Sequence, residues 1–231
     1  MNVATIYIRN APMTFPTYTS PNDLALLAGD WVRQFMLSPP FAWRWNRTVT
    51  SFNTIAGQQD YPEVLSTFGW IEKANLVDNT QAPAVAVELQ TRLNLSLETQ
   101  TSQPVSVSPY LDNNDGTITF RLFPVPDKIY TVTINSQNAA PTFVSLNDLW
   151  TPIPDYLSYV YQQGFLAKAY EYFADERFSE AMQLFIKQTI AANTGLDETE
   201  VNLFLGERLI TTRQAASMQQ NIQLGNQGRA L

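Results

Sequence analysis

The chain has 231 residues, of which 45% are hydrophobic and 15% are charged, and its formal net charge is −7. It contains no histidine and no cysteine, which excludes Ser-His and Cys-His nucleophiles, disulfides and the usual zinc ligands. The negative charge opposes a general attraction to nucleic-acid phosphates or anionic lipid surfaces.

The first predicted element is a helix from Ser20 to Met36. Its apolar residues, Trp31 among them, recur at the three-and-four spacing of one helical face. Ser20 is the predicted N-cap with Pro21 in the first helical position, and the prolines at 39 and 40 end the helix.

Aromatic residues alternate with polar ones directly after this helix. The alternation places Phe41, Trp43 and Trp45 on one face of an extended segment, which is typical of a core or a subunit interface. Because Arg44 lies between the rings, a stacking platform for single-stranded nucleic acid is the alternative. We predict core or interface roles for Trp43, Trp45 and Trp31.

The region from about residue 45 to 142 is predicted to be β-rich. Short stretches of Val, Ile, Thr and aromatic residues are separated there by Gly, Asn, Asp and Pro. The segment Asp112–Gly116 predicts a hairpin turn, because its residues tolerate positive φ angles. The predicted strands, forming an antiparallel sheet or small barrel, are 48–55, 70–77, 84–89, 105–110, 117–122 and 130–136.

Two helices are predicted after the β-rich region, at 155–174 and 178–192. Gly164 inside the first of them favours a close helix crossing. The predicted fold class is therefore α+β: a bundle of about three helices from both chain ends, an inserted antiparallel sheet or small barrel, and an extended C-terminal arm. The predicted domains are helical (1–40 and 150–205), β-rich (41–149) and a tail (206–231).

The tail is rich in Gln, Asn, Ser and Thr, so it does not bury enough apolar surface to fold alone. It is either a loose chain end or an arm that orders on a neighbouring protein. In the second case its isolated apolar residues are the predicted anchors at a portal or subunit interface. They are Ile210, Met218, Ile222 and Leu224.

Carboxylates are the only realistic catalytic groups left. The densest sets are residues 171–176 and 197–200, which fit solvated helix ends better than a catalytic pair. The segment before Gly116 fails as a calcium loop, since Leu111 stands where the first Asp ligand is required. We therefore predict no enzyme activity, no metal site and no cofactor.

Four segments give the chain a resemblance to the head-to-tail adaptor, or connector, proteins of tailed bacteriophages. They are spread over most of the sequence. They are Pro21-Asn22-Asp23-Leu24 together with Trp31, Trp43-Arg44-Trp45-Asn46, Thr54-Ile55-Ala56-Gly57-Gln58-Gln59-Asp60-Tyr61-Pro62, and the helix from Pro154-Asp155-Tyr156 to Ala174-Asp175-Glu176.

The resemblance implies a structural virion protein at the head–tail junction, made in the host cytoplasm. In that family the helical domains pack side by side into a ring, dodecameric by resemblance, and C-terminal arms embrace the portal. The implied partners are further copies of the chain, the portal protein, a tail or nozzle protein, and DNA passing through the lumen without sequence-specific binding.

Other functions remain open on the sequence. One is a carbohydrate- or host-binding module whose exposed Trp and Tyr residues line a groove on the β-rich part. Another is a carboxylate-based hydrolase, which requires two acids facing each other across a cleft. The sequence shows neither a signal peptide nor an apolar run long enough to span a membrane, so no membrane partner is predicted.

Overall fold

The computed structural model describes residues 21–193, apart from residue 82 and residues 93–98. In this part of the chain the helices are α1 (Pro21–Leu37), α2 (Ser158–Tyr172) and α3 (Phe178–Ala192). Single 3-10 turns occupy Arg44–Asn46 and Asp155–Leu157, the second leading directly into α2. The three predicted helices are confirmed.

The described residues form nine strands, six of which match the predicted ones. A strand containing Pro62 was missed, because proline cannot donate to a sheet ladder and is confined to edges and strand starts. The strands are β1 (Arg47–Asn53), β2 (Asp60–Val64), β3 (Phe68–Val77), β4 (Ala86–Thr91), β5 (Thr101–Ser102), β6 (Ser106–Asp112), β7 (Thr117–Phe123), β8 (Val125–Pro126) and β9 (Thr131–Asn138).

Seven of these strands form one sheet in the order β1-β9-β3-β4-β6-β7-β2, while β5 and β8 form a separate short parallel pair. The consecutive strands β1 and β2 lie at opposite edges of the sheet, yet only residues 54–59 join them. The sheet must therefore curl until its edges approach. The rings of Phe52 in β1 and Tyr61 in β2 stack with centroids 4.9 Å apart.

The predicted fold class, a helical bundle with an inserted antiparallel sheet, is wrong. The main body is a barrel-like sheet of seven strands, and the described part of the chain has only three helices beside it. The sheet is also not purely antiparallel, because β4 runs parallel to β6. The periodicity of apolar residues predicts where an element lies, but it does not predict which strands pair with each other. The predicted C-terminal arm lies outside the described residues.

Buried apolar side chains form two clusters. One fills the interior of the sheet and includes Leu76, Phe120 and Ile134, all fully buried. The other joins the three helices to the segments that connect them with the sheet, through residues such as Phe41 and Trp150. The division into domains at residues 40 and 150 stays a prediction.

The predicted hairpin turn between β6 and β7 is confirmed. Asn114 and Gly116 both have positive φ angles, of 57° and 85°. The carboxylates of Asp112 and Asp115 accept hydrogen bonds from the backbone nitrogens of Asn114 and Thr117, both at 2.9 Å. Side chains that hydrogen-bond two residues ahead hold such turns without any ligand.

The buried carboxylate of Asp78 connects the end of β3 to the segment before β9. Lys128 Nζ donates to it at 2.6 Å, and the backbone nitrogen and hydroxyl of Thr80 donate at 2.9 and 2.6 Å. These bonds, the one from Lys128 first, lower the pKa of Asp78 from 3.8 to about 2. The charged carboxylate therefore stabilises the fold above pH 3.8, and this contribution is lost as the pH falls toward 2.

We expect Asp78→Asn to have a lower urea midpoint than the wild type at neutral pH. The difference between the two midpoints should shrink as the pH falls toward 2, because the wild-type carboxylate then becomes protonated and neutral like the asparagine. Urea unfolding of both proteins between those pH values measures the difference. Lys128→Met removes the main donor and should show the same convergence. A deficit of Asp78→Asn that stays constant down to pH 2 would contradict the assignment.

Candidate functional site

The three helices meet at Gly164, in the middle of α2. A Cβ atom at this position would lie 2.7 Å from Phe185 of α3 and 2.8 Å from Val32 of α1. Such distances are shorter than van der Waals contact, so only glycine allows the helices to approach this closely. The predicted close crossing is confirmed, and it fixes α1 and α2 side by side.

A surface groove lies between α1 and α2, with a volume of about 340 Å³. We call it the α1–α2 groove. Leu27 on its α1 side is 64% exposed and Tyr172 on its α2 side is 44% exposed, while Trp31 is half-buried between them. Its lining residues are Leu24, Leu27, Ala28, Trp31, Lys168, Glu171 and Tyr172.

The polar side of the α1–α2 groove is held by a short chain of contacts. The Lys168 ammonium lies 4.6 Å from the centroid of the Trp31 ring and forms an ion pair with Glu171. A cation over an aromatic face orients both groups. The groove is therefore an apolar strip with one positive and one negative charge along its α2 side, which is typical of a protein-contact surface.

A second concavity, of about 310 Å³, lies where the start of the sheet meets the ends of the helices. We call it the tryptophan pocket. The rings of Trp43 and Trp45 stack there with centroids 5.3 Å apart, and Trp43 Nε1 donates to the carbonyl of Met36 at 2.6 Å. Its other lining residues are Ala42, Arg44, Arg47, Glu72, Tyr156, Ala192 and Asn193.

The buried Arg33, paired with the partly exposed Asp30, ties α1 to the connection between the sheet and α2. The side chain of Arg33 is 2% exposed; its Nη1 donates to the carbonyl of Thr151 at 3.0 Å, and its Nη2 lies 3.7 Å from Asp30. Asp30 also accepts from the backbone nitrogen of Phe143 at 2.7 Å, and the guanidinium carbon lies 3.4 Å from the centroid of the Phe143 ring. Burial lowers the pKa of Arg33, while Tyr161 and Asp30 oppose this effect.

The model of the SU10 adaptor protein family matches residues 5–206, which is most of the chain. The chain belongs to the SU10 adaptor protein family. The resemblance to phage head-to-tail adaptors is thereby confirmed, and the protein is a structural adaptor of a bacteriophage. No curated protein sequence matches the chain.

The adaptor places the three predicted tryptophans at two different sites. Trp43 is buried and Trp45 half-buried in the tryptophan pocket, whereas Trp31 lines the α1–α2 groove. Their predicted role in the core or at an interface stays a prediction. The predicted anchors Ile210, Met218, Ile222 and Leu224 lie outside the described residues. Sequence reasoning missed Leu27 as a surface residue, although it lies on the apolar stripe of α1.

No tryptophan of the adaptor forms an exposed platform, since all five are described and each is buried or half-buried. The carbohydrate-binding alternative requires exposed aromatics along a groove of the sheet. Among the described strands the exposed aromatic is Tyr110, and its ring is covered by the guanidinium of Arg121 at 3.4 Å. The sheet therefore gives that alternative no specific support.

Two of the three acids of the 171–176 set are engaged in ion pairs with neighbouring residues. The Asp175 carboxylate accepts hydrogen bonds from the side chain and from the backbone nitrogen of Arg177. These bonds, those from the side chain first, lower the pKa of Asp175 from 3.8 to about 2. Glu171 pairs with Lys168, and residues 197–200 lie outside the described part. Within residues 21–193, leaving out residues 82 and 93–98, no group of three or more His, Cys, Asp or Glu residues could hold a metal ion.

None of the described helices combines the length and the apolar content that crossing a bilayer requires.

A further prediction concerns the contact between Gly29 and Tyr161. The buried Tyr161 hydroxyl has no hydrogen-bond partner among the described atoms, and a Cβ atom at Gly29 would lie 2.7 Å from it. We expect Gly29→Ala to lower the free energy of unfolding by about 1–3 kcal/mol through overpacking. Tyr161→Phe removes an unpaired buried hydroxyl and is expected to be neutral or stabilising.

Chemical unfolding of the two single variants and the double variant checks this contact. The double variant should recover most of the loss caused by Gly29→Ala, because the hydroxyl in contact is gone. Strictly additive effects would show that the hydroxyl is not what limits the space at Gly29.

Proposed function

We propose that this protein is a ring-forming head-to-tail adaptor that docks under the portal, links it to the tail and surrounds a channel for DNA. The observation that carries the proposal is the family match over residues 5–206. We infer the ring, the portal contact and the channel from membership of this family. The number of copies expected from the resemblance is twelve.

The described surface supports assembly through the helices. α1 and α2 lie side by side and expose Leu27 and Tyr172 along the α1–α2 groove. Exposed apolar residues that form a contiguous strip are typical of protein contacts, whereas single ones are common on any surface. We assign this strip to the contact between neighbouring copies.

The charge of the chain suits a channel through which DNA passes without stopping. A net charge of −7 gives phosphates no general attraction, and binding to DNA depends strongly on clustered Lys and Arg. DNA would therefore move past the ring instead of being held by it. The further partners are the portal and a tail or nozzle protein, at the head–tail junction of the virion.

Size-exclusion chromatography with light scattering tests the proposal, using the full chain alone and with the portal protein of the same phage. We expect a closed ring on the portal, visible by negative-stain electron microscopy. Leu27→Glu should weaken ring formation, because it places a charge in the α1–α2 groove. A chain that stays monomeric in the presence of the portal would contradict the proposal.

The matched control is Val64→Glu, which introduces the same charge at an apolar residue of β2 that is 80% exposed. It lies on the sheet and not in the α1–α2 groove. If both variants assemble equally well, the helices do not form the subunit contact.

A further inference from the structure

Charge is distributed unevenly along the chain. Residues 206–231 contain Arg208, Arg213 and Arg229 but a single acid, Glu207, so this tail carries a formal charge of +2 before its terminal carboxylate is counted. Because the whole chain carries −7, residues 1–205 carry −9. A basic, mostly uncharged-polar tail on an acidic body is electrostatically complementary to a second copy of the same body.

The acidic residues next to the α1–α2 groove provide the complementary charge. Glu171 lines the groove, and Glu176 and Glu180 follow along the chain at the turn into α3, both exposed. Glu176 lies in the turn before α3 and Glu180 in the first turn of α3. Neither has an ion pair within the described residues, since Arg177 between them pairs with Asp175. Exposed Phe173 and Leu184 accompany them. This end of the helices therefore combines apolar surface with unpaired negative charge.

The described part of the chain ends at the other end of the helices. Asn193, the last described residue, lines the tryptophan pocket together with Tyr156, which precedes α2. The groove residues Lys168 and Tyr172 lie at the far end of α2, about 20 Å away at 1.5 Å per residue. The chain from Asn193 to Ile222 can span up to roughly 95 Å, so a neighbouring copy is within reach.

We propose that the C-terminal tail of one copy binds the α1–α2 groove of the next copy, with its isolated apolar residues in the groove and its arginines beside Glu176 and Glu180. This inference rests on the proposed ring, because the tail contact would join neighbouring copies within that ring. Each copy provides one tail and accepts one from its neighbour. Such heterologous contacts close into rings when the rotation between copies allows it.

Cysteine cross-linking tests this contact directly, because the chain has no cysteine of its own. One preparation carries Leu27→Cys and the other carries a single tail substitution, Ile210→Cys, Met218→Cys, Ile222→Cys or Leu224→Cys. The two full-length proteins, one with a tag that changes its mass, are mixed with portal protein under mild oxidation. The matched control replaces Leu27→Cys with Val64→Cys.

We expect at least one tail position to form the mixed disulfide about tenfold faster with Leu27→Cys than with Val64→Cys. Added salt should slow the reaction, since it screens exposed charges. Replacing Arg208, Arg213 and Arg229 with Gln should slow it as well. Equal rates at Leu27 and Val64 would overturn the proposal.

A variant with both cysteines in one chain separates binding to a neighbour from binding to the same copy. An exclusively intramolecular disulfide would also overturn the proposal. Electron microscopy of the same samples distinguishes failure of the tail contact from failure of the proposed adaptor function. Rings on the portal without cross-linking at Leu27 would reject the tail contact and retain the adaptor function, whereas the absence of rings would reject both.

Discussion

Arg33→Ala is expected to lower the free energy of unfolding by about 3 kcal/mol, the lower end of the usual cost of breaking a buried ion pair, because Arg33 is buried while Asp30 is partly exposed. The substitution leaves Asp30 without its cation and the carbonyl of Thr151 without its donor. It also opens space beside the Phe143 ring, which the guanidinium covers. The connection between the sheet and α2 should then loosen from α1.

Urea unfolding monitored by tryptophan fluorescence measures this loss, since Trp150 lies in the affected cluster. The matched control is Arg177→Ala, which also removes an arginine from an ion pair, with Asp175, but whose side chain is 55% exposed. Water replaces such a surface partner, so the control should unfold almost as the wild type does. Similar losses in the two variants would show that burial does not determine the role of Arg33.

Gly164→Leu is expected to prevent the three helices from packing together. Even the first carbon of the new side chain would lie 2.7 Å from Phe185 and 2.8 Å from Val32. Overpacking of a close-packed core costs about 1–3 kcal/mol for small insertions, and leucine adds four carbons, so the loss should exceed that range. Near-ultraviolet circular dichroism and urea unfolding report the change.

A milder pair of variants keeps this test interpretable if Gly164→Leu fails to fold. Gly164→Ala should destabilise by less, because alanine favours a helix over glycine by up to about 1 kcal/mol. Val32→Ala removes one of the two clashing groups, so Gly164→Ala should cost less in that background than in the wild type. An unchanged cost would indicate that α1 does not limit the space at Gly164.

The local structure was largely predictable from the sequence because it depends on short-range patterns. The helical stripe that includes Trp31 and the turn residues from Asp112 to Gly116 are complete signals within a few residues. The pairing of strands was not predictable in the same way. Strand β2 contains Pro62, and a proline argues against a strand. The parallel pairing of β4 with β6 has no signal in the sequence of either segment. These two features separate the predicted antiparallel insertion from the observed seven-stranded sheet.

The candidate surfaces were predicted only in part. The alternation around Trp43 and Trp45 predicted an extended segment with both rings on one face. The two rings do stack, but residues 44–46 form a 3-10 turn, and the alternation did not indicate that Trp31 lies in a separate groove. The burial of Arg33 was missed because an arginine on a helix is most often solvated, and only the tertiary position of Phe143 and Thr151 encloses it. Leu27 lies on the apolar stripe of α1 and is nevertheless exposed, because periodicity reveals the stripe but not how much of it the neighbouring elements cover.

The position of β1 in the sheet has a consequence for biosynthesis. Hydrogen bonds between β1 and the β9 region join residues 78 to 90 positions apart, so β1 finds its neighbour only after β9 has left the ribosome. Until then β1 has an unsatisfied edge in the nascent polypeptide, and closing such long-range contacts slows folding. A translational pause once residue 138 has emerged from the ribosome would give the sheet time to close before α2 and α3 emerge.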